Sequence, residues 1–253
     1  MSSKVSLIAL GVGVYLAIAI VSFPASVAER WFAPDALQLA GVEGTVWRGR
    51  AAHGAVSGFG FANLEWQLDP VALVTGRLDV TAETDFAGGA ASARLEASGS
   101  RLVLTEVEAV VNLLAFRALL PLGEVRGDAS LALERLELVD GWPVAVQGEI
   151  AISGLAMPPI VPMPDVTRIP LGNYVAQFTP SGEPGTISAL IRDQGGPLEL
   201  TGHLTLTADR NYILDTLIRP RADAPSVLVQ GLELVTAPPN AEGFRKFVEQ
   251  GTL

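Results

Sequence analysis

The sequence contains no cysteine, which excludes disulfide staples, thiol catalysis and thiolate metal sites at the outset. Its two histidines, His53 and His203, have neither a second histidine nor a carboxylate at metal-ligand spacing. Both read as structural or solvent-facing strand residues. Aromatic residues make up 6% and charged residues 17% of the 253-residue chain, so Leu, Val, Ala and Ile carry the apolar content, a composition that suits a broad aliphatic sheet face. The basic residues are scattered and the net charge is −10, which argues against nucleic acid, whose phosphates need clustered Lys and Arg. The acidity serves solubility. No Gly-x-Ser-x-Gly nucleophile turn is present, and Ser57-Gly58-Phe59-Gly60 lacks both the pattern and the following helix of a phosphate loop. Asp69, Asp79, Glu83 and Asp85 lack the turn glycine and regular oxygen spacing of a calcium loop. No catalytic residue, metal ligand or cofactor is assigned, and the chain is not expected to be an enzyme.

What is present is β-structure punctuated by glycine. Gly44-Thr45-Val46-Trp47-Arg48-Gly49-Arg50-Ala51 sets two strong strand formers, Val46 and Trp47, between glycines. In the next run Leu64, Trp66 and Leu68 alternate with Glu65 and Gln67, and Asp69-Pro70 stops it because proline has no N–H for a ladder. Val74 to Val80, around Gly76, reads as a further strand unit. Copies follow at Val146 to Ile152 around Gly148, at Leu200 to Leu206 around Gly202 and, more weakly, at Val229 to Leu234. Gly123 to Ala129, with Gly127, echoes the first motif. The spacings are unequal, so this is one sheet grown from related strands and not a solenoid of fixed period. Gly44, Gly49, Gly76, Gly127, Gly148 and Gly202 read as structural, with little room for a side chain expected at Gly76.

The ends and joints differ from this pattern. Val5 to Phe23 carries no charge and, as a helix, would be about 28 Å long against a hydrocarbon core of about 30 Å. With Lys4 before it, the positive-inside tendency keeps the N-terminus in the cytoplasm. Residues 1–28 therefore read as a transmembrane signal-anchor and 29–253 as an exported β-rich domain. Cleavage after the small residues Ser26 and Ala28 is the competing reading. Trp31 and Phe32 suit the headgroup level or a cap on the sheet. Asn112 to Leu120 reads as a short helix capped by Asn112 and ended by Pro121. The proline-rich stretch at 156–165 reads as a linker and sub-boundary. Strands are expected from Tyr174 to Leu234, and Ala241 to Gln250 as a terminal helix capped by Asn240.

The run Gly41 to Ala51, the Leu64-x-Trp66-x-Leu68-x-Pro70 segment, Gly76-Arg77-Leu78 and Leu120-Pro121-Leu122-Gly123-Glu124-Val125-Arg126-Gly127 resemble type II secretion system protein N. The resemblance implies an inner-membrane protein with a single span, a periplasmic domain and contacts to other secretion components. It carries over no catalytic residues. A more distant resemblance is to AsmA-like envelope proteins, which implies a lipid-binding or lipid-transport domain as the alternative. The fold expected is mainly β: one N-terminal transmembrane helix, then a large curled antiparallel sheet with one or two short helices.

Overall fold

Period-two alternation becomes strand over most of the chain. The computed structural model describes residues 21–32, 37–56, 58–117, 124–159, 168–180 and 185–252. Among the described residues thirteen strands follow one another in chain order, and the described pairings are antiparallel. Such a meander needs only hairpin connections. Two compact units divide the chain, Met1–Phe86 and Ala87–Leu253.

The first unit contains α1 (Ala25–Phe32), β1 (Leu37–Gly44), β2 (Arg48–Val56), β3 (Phe59–Leu68), α2 (Pro70–Val74) and β4 (Leu78–Phe86). A bulge between β3 and β4, with Asn63 at φ +51°, shifts the register. Before it Phe59 and Phe61 are half-buried; after it Leu64, Trp66 and Leu68 turn inward, as the alternation requires.

The second unit contains β5 (Gly89–Ser98), β6 (Arg101–Asn112), a 3₁₀ turn (Leu113–Phe116), β7 (Arg126–Val139), β8 (Trp142–Met157), β9 (Ile169–Thr179), β10 (Ile187–Asp193), β11 (Leu198–Leu206), β12 (Asn211–Pro220), α3 (Ser226–Val235) and β13 (Arg245–Thr252). Its core is small. Leu228 and Leu232, four residues apart on one face of α3, pack against Ile169, Leu198 and Ile218 of the sheet. Glu137 is buried on β7 between Arg101 at 2.6 Å and Arg135 at 2.8 Å. Hydrogen bonds from Arg101 and then Arg135 hold its carboxyl below the usual range against the opposing effect of burial. Asp193 staples the β10–β11 turn, accepting from Gly195 N, Leu200 N and Arg221 Nη2, the last at 2.6 Å. Burial pushes its carboxyl up, but those bonds outweigh it and the carboxyl stays low. Burial pushes the neighbouring Tyr174 hydroxyl up to about 12.

Several expectations are corrected. Val74 to Arg77 is not strand: Asp69 accepts from Val71 N at 2.8 Å and, with Pro70 in the first turn, starts α2. Val229 to Leu234 is helix, because the spacing of Leu228 and Leu232 seats one helical face on the sheet; short apolar runs fit either period. Ala241 to Gln250 is not a helix. Asn240 instead caps a turn, accepting from Glu242 N at 3.0 Å and Phe244 N at 2.9 Å, and β13 pairs with β12. The backbone groups of β12 outweigh the helix propensity of this charged stretch. The helix expected from Asn112 shrinks to the 3₁₀ turn, with Asn112 accepting from Leu114 N as its cap; residues 118–120 lie outside the described residues. So do residues 1–20, on which the expected membrane span largely falls, and 160–167, which hold much of the proline-rich stretch. Among the described residues no helix is long and apolar enough to cross a membrane.

Candidate functional site

The motif singled out in the sequence assembles around the β1–β2 hairpin. Gly44 ends β1 opposite Gly49 on β2. Thr45, Val46 and Trp47 form the turn and are not the strand their propensity suggested. A two-to-four-residue reversal between paired glycines overrides β-propensity, because the chain must return. Thr45 N–H donates to Arg48 C=O at 2.9 Å and closes the turn.

Trp66 braces it from β3. It lies directly opposite Gly49, and its indole occupies the space where a side chain at position 49 would stand. Its Nε1–H donates to Val46 C=O at 3.1 Å. Leu68 N–H donates to Trp47 C=O at 2.8 Å, so β3 grips the turn through backbone and side chain together. From the other direction Val46 N–H donates to Phe23 C=O at 3.0 Å, and Pro24 bridges to Thr45. The hairpin thus ties the residues before α1 to the sheet.

The same device recurs where sequence reading missed it. Gly54 lies opposite Phe61 with the ring over it, and Gly251 of β13 lies opposite Tyr212 of β12 in the same relation. An aromatic ring laid across a cross-strand glycine buries exposed backbone and restores the packing that glycine lacks. The signal available in the sequence was an aromatic placed to face a glycine once the strands pair; without the register it is invisible.

The remaining motif residues have distinct settings. Pro70 occupies the first turn of α2, where no N–H is needed. Gly148 faces Leu133 of β7, and Gly202 faces Thr216 of β12. Gly127, on β7, stands against the Ser153 carbonyl of β8. Gly76 departs from expectation: nothing lies within 4 Å of where its side chain would be, and its φ is +72°. Its constraint is the left-handed turn that follows α2, not crowding. Gly76→Val is therefore expected to cost about 1–2 kcal/mol through backbone strain, while Gly76→Asn, which tolerates that region, should cost clearly less. Equal urea midpoints for the two variants would refute this assignment.

A second feature lies in the second unit. An open cleft of about 280 Å³ runs beside α3, lined by Met157, Ile169, Leu171, Leu198, Gly231 and Leu234 among others, with Gln230 the one polar side chain among its described lining residues. Leu234 and Val235 stand exposed at the end of α3. Such a wall accepts hydrocarbon and offers little to orient a polar substrate. His53 and His203 are exposed on their strands. Among the described residues no group of His, Asp or Glu stands close enough together to hold a metal ion.

Comparison with known proteins gives a consistent family. The model of a family described as type II secretion system (T2SS), protein N matches residues 35–248. Type II secretion system protein N of Vibrio cholerae serotype O1 is 26% identical over 229 residues, covering 87% of this chain and 86% of that one. Its counterpart from Aeromonas hydrophila is 24% identical over 247 residues, covering 94% of each. No solved structure matches the chain.

Proposed function

The chain belongs to the type II secretion system protein N family, and on that premise we propose that it is an accessory component of the secretion machine that acts through protein–protein contacts. The observation that carries this reading is the extent of the match, which runs from before β1 to within β13. The likeness to the family therefore extends along nearly all of the sheet. We read the Val5–Phe23 run as a single inner-membrane span, with the N-terminus cytoplasmic and the sheet periplasmic. Contacts then fall to the sheet surface or to its terminal strands, since an open strand edge pairs readily with an extended partner. No catalytic role is assigned to any residue.

The test is crosslinking of the full chain in its native envelope, followed by capture and mass spectrometry. Secretin or inner-membrane secretion components are the expected catch. Recovery of lipid-transport or outer-membrane assembly proteins alone would favour the second reading, an AsmA-like lipid-handling domain. The aliphatic cleft beside α3 is what supports that alternative. Native mass spectra of the same preparation would then carry phospholipid adducts.

A further inference from the structure

The apolar run Val5–Phe23 ends on the residue whose carbonyl accepts the Val46 N–H at 3.0 Å. Pro24, the next residue, forms a backbone bridge with Thr45. The contact is reinforced downstream. Val27 N–H and Ala28 N–H both donate to Pro24 C=O at 3.2 Å, and Ala25 is buried at the start of α1. Backbone pairing therefore joins the end of the apolar run directly to the β1–β2 turn. They are adjacent strands of backbone.

From this we propose that the turn Thr45–Arg48 is the membrane-contacting surface of the first unit, seated among the phospholipid headgroups of the bilayer that holds the Val5–Phe23 run. The inference rests on the reading of that run as a span. Given it, the rest is distance. The headgroup layer adds about 5–8 Å on each side of a hydrocarbon core of about 30 Å. A turn joined by a 3.0 Å hydrogen bond to the last residue of the span cannot stand outside that layer. Its side chains suit the place. Val46 and Trp47 are half-buried at the turn, and tryptophan is enriched at this level of a membrane. Arg48 is exposed and donates to the neutral Gln67 side chain at 3.1 Å, which leaves its charge available to lipid phosphate. Arg50 is exposed but held by Glu43 at 2.6 Å, so it contributes less. The Trp66–Gly49 brace holds this turn against β3.

The absence of native cysteine allows a direct test. The full chain carrying Arg48→Cys or Thr45→Cys takes a nitrobenzoxadiazole label on the turn. Gly60→Cys takes it at the far end of the same strands, opposite Ala55, where nothing but the Gly54 carbonyl, at 3.9 Å, lies within 4 Å of a new side chain. Along β2 the two ends are about 23 Å apart. The variants are reconstituted in phosphatidylethanolamine–phosphatidylglycerol vesicles with headgroup-spin-labelled lipid. Quenching at both turn positions several-fold above that at Gly60→Cys is the expected result. Equal quenching at the three positions, in chains that resist alkaline extraction from the vesicles, overturns the proposal and leaves the anchor reading standing. Release of the chain by alkali overturns the anchor reading itself, and the proposal with it.

Discussion

Gly49→Val is expected to destabilise the first unit by about 3 kcal/mol, more than a glycine-to-valine change in an ordinary strand. The new side chain would occupy the space held by the Trp66 indole and approach the Glu43 carbonyl, which lies 2.8 Å from the Cβ position. Overpacking of this kind costs about 1–3 kcal/mol. Displacing the indole also forfeits its hydrogen bond to Val46 C=O, a further contribution of about 1 kcal/mol, together with part of the ring's burial. Trp66→Ala should destabilise by a comparable amount, because it exposes Gly49 and frees the turn. The two changes should not add. In the double variant the valine has the space the indole left, so the combined cost should fall at least about 1 kcal/mol below the sum, as for residues in direct contact. Urea unfolding followed by far-ultraviolet circular dichroism gives all three values. Strict additivity would mean that Gly49 is glycine for a reason other than Trp66.

The second large effect lies on α3, where neighbouring positions should move stability in opposite directions. Leu232 is 8% exposed and packs with Leu228 on Ile169, Leu198 and Ile218. Leu232→Ala removes apolar contact and leaves a cavity, at a cost of about 2–4 kcal/mol. Gly231 is one residue earlier on the wall of the cleft, with nothing within 4 Å of the position its side chain would take. Gly231→Ala meets no obstacle and relieves the entropic cost of glycine inside a helix, so it should stabilise by about 0.5–1 kcal/mol. Thermal unfolding of the two variants beside the parent distinguishes them. A loss of stability in Gly231→Ala would show that α3 needs glycine at this point for a reason its surroundings do not display.

The helices show where reading by pattern failed. Val229 to Leu234 matched the strand template as well as it matched a helix, because six residues cannot separate a period of two from one of 3.6. The decision belonged to the sheet, which presents Ile169, Leu198 and Ile218 as a seat for Leu228 and Leu232. The helix expected over Ala241 to Gln250 failed in the opposite sense: its charged residues favour helix, but β12 offers a ladder of backbone groups to Arg245–Thr252 along its edge. In the site, Gly44, Gly49 and Trp66 stood out in successive runs of the sequence, but the pairing of Trp66 with Gly49 did not. That Val46 and Trp47 form the turn was not legible, since their β-propensity points to strand and only the pairing of Gly44 with Gly49 places the reversal between them. Nor was the bond from Val46 to Phe23, which joins residues the sequence sets far apart.

Local chemistry in the sequence was enough to determine the class of the protein. Absent cysteine, scattered charge, alternating aliphatic residues and glycine punctuation leave a β-scaffold as the natural outcome, since each is a property of a residue and its near neighbours. The tertiary structure decided everything that depends on register. Which glycine lies beneath which ring, which short run becomes helix, and which turn meets the end of the apolar segment all follow from how strands align, and a one-residue slip would change every one of them.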